Sequence, residues 1–449
     1  MNNDQEKKEE GEEKQDHYAS HLSEVNKTNN VLATEDIYNK NGALVVKKNT
    51  LIDKATADRI IQHKLEKSLG EQVEIENSLN SSRLSKDVES LFQKHPDLFQ
   101  IFTSSGSEET VDNMLHESNI PKIIFQKLTV LKNNLPQYFE KSLFCAILST
   151  MIARELKLLK KDTKVAFIAG LTIDLGFVHL SLDVINKKDE LTPEEWRIIQ
   201  SHVIVGQMII KEGYGESFPA SKAILEHHER CDGSGYPLGK TAKQIGEISQ
   251  IVGITDDISA NKVNSFTKIG RNLRDIIPYL KMNKKTYLLE INNTVRIIIQ
   301  DSKLQPSMVN PYDNVSALIS HLVKNCQKVK NSMAVLKKVL DITEASVKNQ
   351  APSQLEYIVN PVVIMMRDSG IVNDEILVWL ESLSDDSGKN DLEYLLELDL
   401  MQKELSWQFK KIHKAFTAHK EKMADNDNDS ELSSENLTKL SEQILEFIT

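Results

Sequence analysis

The sequence predicts a mainly α-helical protein with a small α+β module near its N-terminus. From about residue 116 to 290, apolar residues recur at spacings of three and four, as in SLFCAILSTMIARELKLL and PEEWRIIQSHVIVGQMII. This is the period of an amphipathic helix. A second helical pattern runs from about residue 300 to the end, and two short aliphatic runs flank the turn-forming dipeptide Asn41-Gly42.

Composition divides the chain into four segments. The first 30 residues carry almost no apolar side chains, and such a composition cannot offset the entropy of ordering the chain. The next segment contains the hairpin signal and one helical pattern. We therefore predict a disordered tail, a small α+β N-terminal module, a main helical domain and a helical C-terminal region of unknown role, at residues 1–30, 31–115, 116–290 and 300–449.

Charge and cysteine content exclude several classes of protein. The net charge is -11, with 55 Lys and Arg against 66 Asp and Glu, so a nucleic-acid-binding function is not expected. No run of about 18 apolar residues and no signal-like N-terminus is present in the sequence, so we expect no membrane span. Cys145, Cys231 and Cys326 are far apart without CxxC spacing, which favours a reducing cytoplasmic location.

Histidine and carboxylate side chains cluster in the middle of the sequence. His202 lies on a helix predicted to begin at Thr192, His227 and His228 are adjacent, and Asp256 follows the apolar run ISQIVGIT. Neutral imidazoles and carboxylates are ligands that suit Fe, Mn or Zn. The run CDGSGYP after the histidine pair contains two glycines and a proline, which predicts a turn at the end of a helix.

This stretch resembles a known family. LEHHERCDGSGYPLGKTAKQIGEISQIVGITDDISA is similar to the signature half of the HD-GYP family, a group of metal-dependent phosphohydrolases of the HD superfamily that hydrolyse the bacterial second messenger cyclic di-GMP. The resemblance covers about residues 138–270, and NKKDELTPEEWRIIQSHVIVG is similar to the family segment that supplies His202 as a ligand. It implies a helical HD-superfamily bundle with metal and substrate sites.

The sequence departs from the family pattern at several ligand positions. Ile173 stands where the histidine of the His-Asp pair belongs, although Asp174 is kept. Phe177 replaces the lysine that follows the pair, Lys141 stands where an earlier helix has a histidine, and Ser259 stands where the family has a second aspartate. The resemblance therefore implies that one of the two family metal sites is lost.

The resemblance assigns the remaining ligands to one metal ion. It implies an ion of Fe or Mn, with Zn as the third choice, held by Asp174, His202, His227 and His228, while the other ion would keep only Asp174 and Asp256. Lys141 has two alternative roles. Its ammonium group would neutralise these two aspartates in the vacated cation site, or its side chain would extend to solvent.

Catalytic and substrate-binding roles are also implied by the resemblance. The expected catalytic residues are Asp174 and Glu229, the latter orienting a ligand histidine or, in the alternative, lying solvated at a helix end. Tyr236 would stack on a base or pack on the helix behind it. The expected substrate-binding residues are Lys268, Tyr236, Gly235 and Pro237.

His179, which follows Phe177 closely, is a second candidate for the role of the missing histidine. Its spacing favours an exposed loop position instead.

These observations predict a cyclic di-GMP signalling protein of the HD-GYP phosphodiesterase family with weak or lost hydrolysis. The missing ion and lysine would have stabilised charge in the transition state. The alternative is a catalytically silent receptor or scaffold, which binds a nucleotide or a protein partner through the GYP region. In both cases we expect cyclic di-GMP or a related nucleotide and protein signalling partners as binding partners.

Overall fold

The computed structural model of the chain describes residues 16–346, 354–383, 389–424 and 442. The chain divides into two compact units. One contains residues up to 228 together with 246–259, and the other contains 229–245 together with residues from 260 onward. Helices dominate both units, as the sequence predicts.

The first unit begins with a short helix and two small antiparallel sheets. Strand β1 pairs with β4, and β2 pairs with β3. Asn41-Gly42 lies between β2 and β3, with Gly42 at a φ of 76°, so the predicted hairpin is confirmed. The elements in chain order are α1 (Tyr18–Val25), β1 (Val31–Ala33), β2 (Ile37–Tyr38), β3 (Leu44–Val46), α2 (Lys54–Ile61), a 3-10 helix (Leu69–Glu71) and β4 (Val73–Ile75).

Helix α1 lies within the segment expected to be disordered, so that expectation is wrong for residues 18–25. Tyr18, Leu22 and Val25 are 1%, 0% and 0% exposed, and their spacing of four and three places them on one face of the helix. A composition averaged over 30 residues hides this short apolar face. Residues 1–15 lie outside the described residues.

The central elements of the first unit are α7 and α8, which pack against each other. A Cβ atom on Gly170 of α8 would lie 2.7 Å from the backbone of Cys145 in α7, so glycine permits their close approach. The remaining elements are α3 (Ser81–Lys94), α4 (Pro96–Ser104), α5 (Glu108–Glu117), α6 (Lys122–Asn134), α7 (Pro136–Glu155), α8 (Lys160–Thr172), a 3-10 helix (Leu175–His179), α9 (Leu182–Ile185), α10 (Pro193–Gln200), α11 (His202–Tyr214), α12 (Ala220–Glu226) and α13 (Glu247–Asn264).

The helix predicted from Thr192 is two helices in the structure. Thr192 caps α10 through a complete capping box with Glu195, which confirms the predicted start. The Ser201 hydroxyl then donates a hydrogen bond of 2.7 Å to the Ile198 carbonyl, and such bonds compete with helix continuation. His202 therefore occupies the first position of a new helix, α11.

The second unit has its own hydrophobic core, built mainly from long helices. Leu405, Phe409, Ile412 and Phe416 of α19 are buried in this core, so the apolar face of this helix packs on its own unit. The elements are two 3-10 helices (Phe266–Ile269 and Leu273–Ile276), α14 (Ile277–Met282), α15 (Leu289–Asp301), α16 (Val315–Ser346), α17 (Gln354–Asp368), α18 (Asp374–Ser382) and α19 (Lys389–Ala424). Within the described residues, no helix has both the length and the apolar composition needed to cross a bilayer.

A buried histidine anchors α1 to the rest of the first unit. The Nε2 atom of His21 donates a hydrogen bond of 2.9 Å to the Leu180 carbonyl, and the Asn134 amide donates one of 3.2 Å to Nδ1. His21 is fully buried, and burial lowers its pKa from 6.5 to about 4. The folded state therefore holds a neutral imidazole.

Because of this histidine, the free energy of unfolding should decrease as the pH is lowered. A lowered folded-state pKa gives stability that is present above pH 6.5 and is lost as the pH falls toward 4. We expect His21 to lower the free energy of unfolding by about 2 kcal/mol between pH 8 and pH 5. Urea unfolding at both pH values tests this, with His21→Gln as the non-titrating variant and the exposed His63→Gln as the control. Equal pH dependence in wild type and His21→Gln would contradict it.

Candidate functional site

Three histidines meet in the first unit. His202 begins α11, and His227 and His228 directly follow α12. One ring nitrogen from each histidine can be chosen so that all three atoms lie within 4.8 Å of one another. The end of α12 at Glu226 is what allows two adjacent residues to face one point, because consecutive residues inside a helix point about 100° apart.

Hydrogen bonds to backbone carbonyls set the tautomers of two of these histidines. His202 Nδ1 lies 2.8 Å from the Ile199 carbonyl and His227 Nδ1 lies 2.7 Å from the Ile224 carbonyl. A carbonyl only accepts, so each Nδ1 carries the proton. The two Nε2 atoms, which lie 3.3 Å apart, then face each other with lone pairs. Metal-bound histidines commonly have this arrangement, with the second ring nitrogen donating to the protein.

His202 is held in place by the segment that follows Asp174. The ring of Phe177 stacks on the His202 imidazole, with centroids 4.4 Å apart and an angle of 8° between the planes. A Cβ atom on Gly176 would lie 2.0 Å from the His202 carbonyl oxygen, so glycine is required for this contact. Burial, together with the nearby His227, lowers the pKa of His202 to about 3. The imidazole is thus neutral, as a metal ligand must be.

Lys141 binds both aspartates of the predicted site. Its ammonium nitrogen lies 2.9 Å from Asp174 Oδ2 and 2.8 Å from Asp256 Oδ1, and only 13% of its side chain is exposed. Burial lowers the pKa of Lys141, but the two carboxylates outweigh burial and raise it well above its ordinary value. Of the two roles considered for Lys141, the structure therefore shows the buried ion pair.

The possible metal ligands form two groups, the three clustered histidines and the two aspartates bound by Lys141. The three imidazoles form a cluster of nitrogen donors of the type that suits a transition metal. Asp174 is fully buried, and its Oδ1 atom accepts no hydrogen bond within the described part of the chain, while burial raises its pKa to about 6. Asp256 Oδ2 lies 3.8 Å from His228 Nδ1. The carboxylates of both aspartates are thus paired with the ammonium group of Lys141.

Two residues that depart from the family ligand pattern, Ile173 and Ser259, are both buried. Ile173 is 0% exposed, as is Ser259. The Ser259 hydroxyl lies 3.2 Å from the Cys145 thiol and donates a hydrogen bond to the Asp256 carbonyl at 2.9 Å. These substitutions replace an imidazole and a carboxylate by an apolar side chain and a hydroxyl.

Glu229 closes the GYP turn in the second unit. The side chain is 2% exposed, and its two oxygens accept hydrogen bonds of 2.7 Å each from the backbone N–H groups of Leu238 and Lys240. The solvated alternative for Glu229 is therefore wrong. Its catalytic role stays a prediction, and the contacts of its side chain are those of a residue that fixes the turn. Gly233 has a φ of 80° in this turn, as its sequence suggests.

The other predicted substrate-binding residues also belong to the second unit. Gly235, Tyr236 and Pro237 lie partly buried in the GYP turn, and Lys268 is exposed on the 3-10 helix Phe266–Ile269. Their roles toward a nucleotide stay predictions.

His179 was expected on an exposed loop, and that expectation is wrong. Its side chain is 17% exposed, and it contacts Asp16, Tyr18 and the fully buried Lys127. It is also not among the three clustered histidines. Sequence reasoning missed Lys127, although a lysine inside the apolar run KIIFQKLTVL was a usable signal, because a buried ammonium needs partners.

Comparison with known proteins places this site in a family. A family model described as "HD domain" matches residues 122–289. Residues 122–289 are thus similar in sequence to an HD domain. All three clustered histidines and both aspartates bound by Lys141 lie within it, and the resemblance to HD-GYP proteins is confirmed.

Curated relatives of the HD domain are phosphodiesterases. The chain is 33% identical to the 3′3′-cGAMP-specific phosphodiesterase 1 of Vibrio cholerae over 27% of its own length and 28% of the relative's. It is 29% identical to a cyclic di-GMP phosphodiesterase of Pseudomonas aeruginosa, and this match covers 31% of the chain and 34% of the relative. It is 25% identical to the cyclic di-GMP phosphodiesterase PdeB of Borreliella burgdorferi, and this match covers 46% of the chain and 60% of the relative. The chain thus spans about a third of the length of the first two relatives.

Proposed function

We propose that the chain is a bacterial cyclic di-GMP signalling protein of the HD-GYP type that binds one transition metal and hydrolyses its nucleotide weakly or not at all. The observation that carries this proposal is the ammonium group of Lys141 between Asp174 and Asp256. A fixed organic cation at this position neutralises the two carboxylates that a second metal ion would need.

The proposed metal is Fe or Mn, with Zn as the third choice. His202, His227 and His228 would hold it, with Asp174 as the fourth ligand expected from the family. When bound, such an ion activates a water molecule and polarises a phosphoryl oxygen. The chain contributes orientation, since the carbonyls of Ile199 and Ile224 fix the two imidazoles whose Nε2 atoms face each other.

Weak hydrolysis follows from the groups around this cluster. Phe177 stands where the family lysine would meet a phosphoryl oxygen, and an aromatic ring donates no hydrogen bond to it. The loss of one such donor typically costs a factor of about 10²–10³ in rate. The Lys141 ammonium stays bound to its carboxylates and cannot activate water as a metal ion does.

The nucleotide and the partners are proposed from the relatives. Cyclic di-GMP is the primary candidate, and 3′3′-cGAMP is the related nucleotide, because the relatives are named for these two substrates. The buried Lys141 pair and Phe177 also favour the alternative of a silent receptor or scaffold that signals to protein partners. The cytoplasm is the proposed location, and all three cysteines are free thiols.

Elemental analysis of the purified protein tests the metal site. We expect about one Fe, Mn or Zn per chain, because the three imidazoles form one cluster, and we expect this metal to be absent from a His227→Ala, His228→Ala variant. A His63→Ala, His116→Ala variant, which removes two exposed histidines, is the matched control. Absence of metal from the wild type, or equal metal in both variants, would overturn the proposed site.

Incubation of the metal-loaded protein with cyclic di-GMP and 3′3′-cGAMP tests the activity. We expect saturable binding with slow or undetectable linear product. Turnover of about 1 per second or faster, which is ordinary for enzymes, would contradict the proposed impairment. Saturable binding without product would select the receptor alternative.

A further inference from the structure

His179 lies at the centre of a polar cluster that joins the fully buried Lys127 to Asp16, whose side chain is 63% exposed. Lys127 Nζ lies 2.9 Å from His179 Nε2, and Asp16 Oδ1 lies 2.8 Å from Nδ1. A lysine ammonium only donates, so Nε2 accepts and the proton on Nδ1 is donated to Asp16. The three side chains therefore form an ordered chain of hydrogen bonds that requires a neutral imidazole at its centre.

The start of α1 holds both the side chain and the backbone of His179. The Tyr18 ring stacks on the imidazole, with centroids 4.8 Å apart and planes at 11°. Lys127 Nζ also lies 4.1 Å from the centre of the Tyr18 ring. The His17 N–H donates a hydrogen bond of 3.2 Å to the His179 carbonyl. We call His179, Asp16, Tyr18 and Lys127 the α1 clamp.

The clamp acts on the same short segment that holds His202. His179 ends the 3-10 helix that follows Asp174, and two residues earlier Phe177 stacks on the His202 ring. Leu175 and Val178 of the same 3-10 helix are fully buried. A tight, buried turn of five residues has little room to deform, so a displacement of His179 is passed on to Phe177.

We propose that His179 is a positioning residue for the metal site. The α1 clamp holds the segment Leu175–His179 so that the His202 imidazole faces His227. This inference rests on the proposed function, because its consequence is metal affinity. It extends that function by making α1 a part of the metal site's support.

The polar character of the clamp supports an orienting role. Lys127 is fully buried, and burial lowers its pKa. Asp16 and Glu212, the latter 3.9 Å from Lys127 Nζ, compensate its charge. Apolar side chains of similar size would usually fill such a space at no loss of stability. Directional hydrogen bonds select one arrangement of the segment Leu175–His179, whereas apolar packing alone would permit several.

Two measurements on three variants test this proposal. His179→Ala removes the imidazole, and His179→Gln keeps one acceptor for Lys127 and one donor for Asp16. Thr129→Val is the control for general destabilisation, because Thr129 is buried in the same unit and accepts a hydrogen bond of 2.8 Å from Leu79 N–H. Amide hydrogen exchange over residues 174–180 is measured without metal, and Co²⁺ binding is then titrated by its visible absorption.

We expect His179→Ala to speed exchange over residues 174–180 and to weaken Co²⁺ binding by about 10-fold, the lower end of the effect of outer-shell changes. His179→Gln should have nearly the exchange rate and the Co²⁺ affinity of the wild type, and Thr129→Val should leave both quantities unchanged. Wild-type exchange and affinity in His179→Ala would overturn the inference. If the wild type binds no Co²⁺, the proposed function fails, and unchanged exchange in His179→Ala still decides the inference separately.

Discussion

Replacing Lys141 with methionine should lower the free energy of unfolding by about 3–5 kcal/mol, the usual effect of removing one partner from a buried ion pair. Methionine has a similar length, so the change removes the charge more than the volume. It leaves Asp174 and Asp256, which are 0% and 5% exposed at their side chains, without a cation between them. Urea unfolding of the metal-free protein measures the loss.

Two further variants separate the charge effect from packing. Adding Asp174→Asn and Asp256→Asn to Lys141→Met removes the unpaired charges and should recover most of the lost stability. Lys132→Met is the matched control, since Lys132 pairs with Asp87 at 2.7 Å but is 42% exposed, and exposed pairs contribute about 0–1 kcal/mol. Equal losses in Lys141→Met and Lys132→Met would show that the buried ammonium is not a structural cation.

Divalent cations should rescue the Lys141 variant selectively. Without the ammonium group, the two carboxylates offer oxygen ligands that suit Mn²⁺. Mn²⁺ should therefore stabilise Lys141→Met more than it stabilises the wild type. This outcome would identify the Lys141 position as a former metal site that a protein cation now fills.

The histidine cluster was predictable because its signals are local. The pair His227-His228 and the turn that follows it are adjacent in the sequence, and the capping box at Thr192 fixes where the helix before His202 begins. The family resemblance then supplied Asp174, which spacing alone does not connect to these histidines. The role of Lys141 was open for the same reason, since only the fold brings α7 and α13 to the same point.

Contacts between distant short segments could not be predicted. Helix α1 has only eight residues, too short for its pattern to stand out from a polar N-terminus. Its burial depends on Lys127 and His179, which are more than 100 residues away in the sequence. The role of Glu229 could not be predicted either. Its hydrogen-bond partners are the backbone N–H groups of Leu238 and Lys240, and almost every residue type has such a group, so the sequence does not indicate the pairing.

Gly176→Ala should disrupt the metal site with only one added methyl group. The new Cβ atom would lie 2.0 Å from the His202 carbonyl oxygen and 2.7 Å from its carbonyl carbon. Both are backbone atoms, so no side chain can rotate away, and either the start of α11 or the segment after Asp174 must move. We expect a loss of about 3 kcal/mol in the free energy of unfolding and a loss of Co²⁺ affinity of at least about 10-fold.

Gly213→Ala on α11 is the matched control for this prediction. Its new Cβ atom would meet the Ile124 side chain at 2.9 Å, and a flexible aliphatic side chain can adjust. Alanine also favours the helical conformation over glycine, and Gly213 lies in the last turn of α11, so this variant should keep both stability and Co²⁺ binding. If Gly176→Ala binds Co²⁺ as tightly as Gly213→Ala, the contact between the Asp174 segment and His202 does not position the ligand. Weakened binding in Gly176→Ala alone would show that this backbone contact sets the geometry of the histidine cluster.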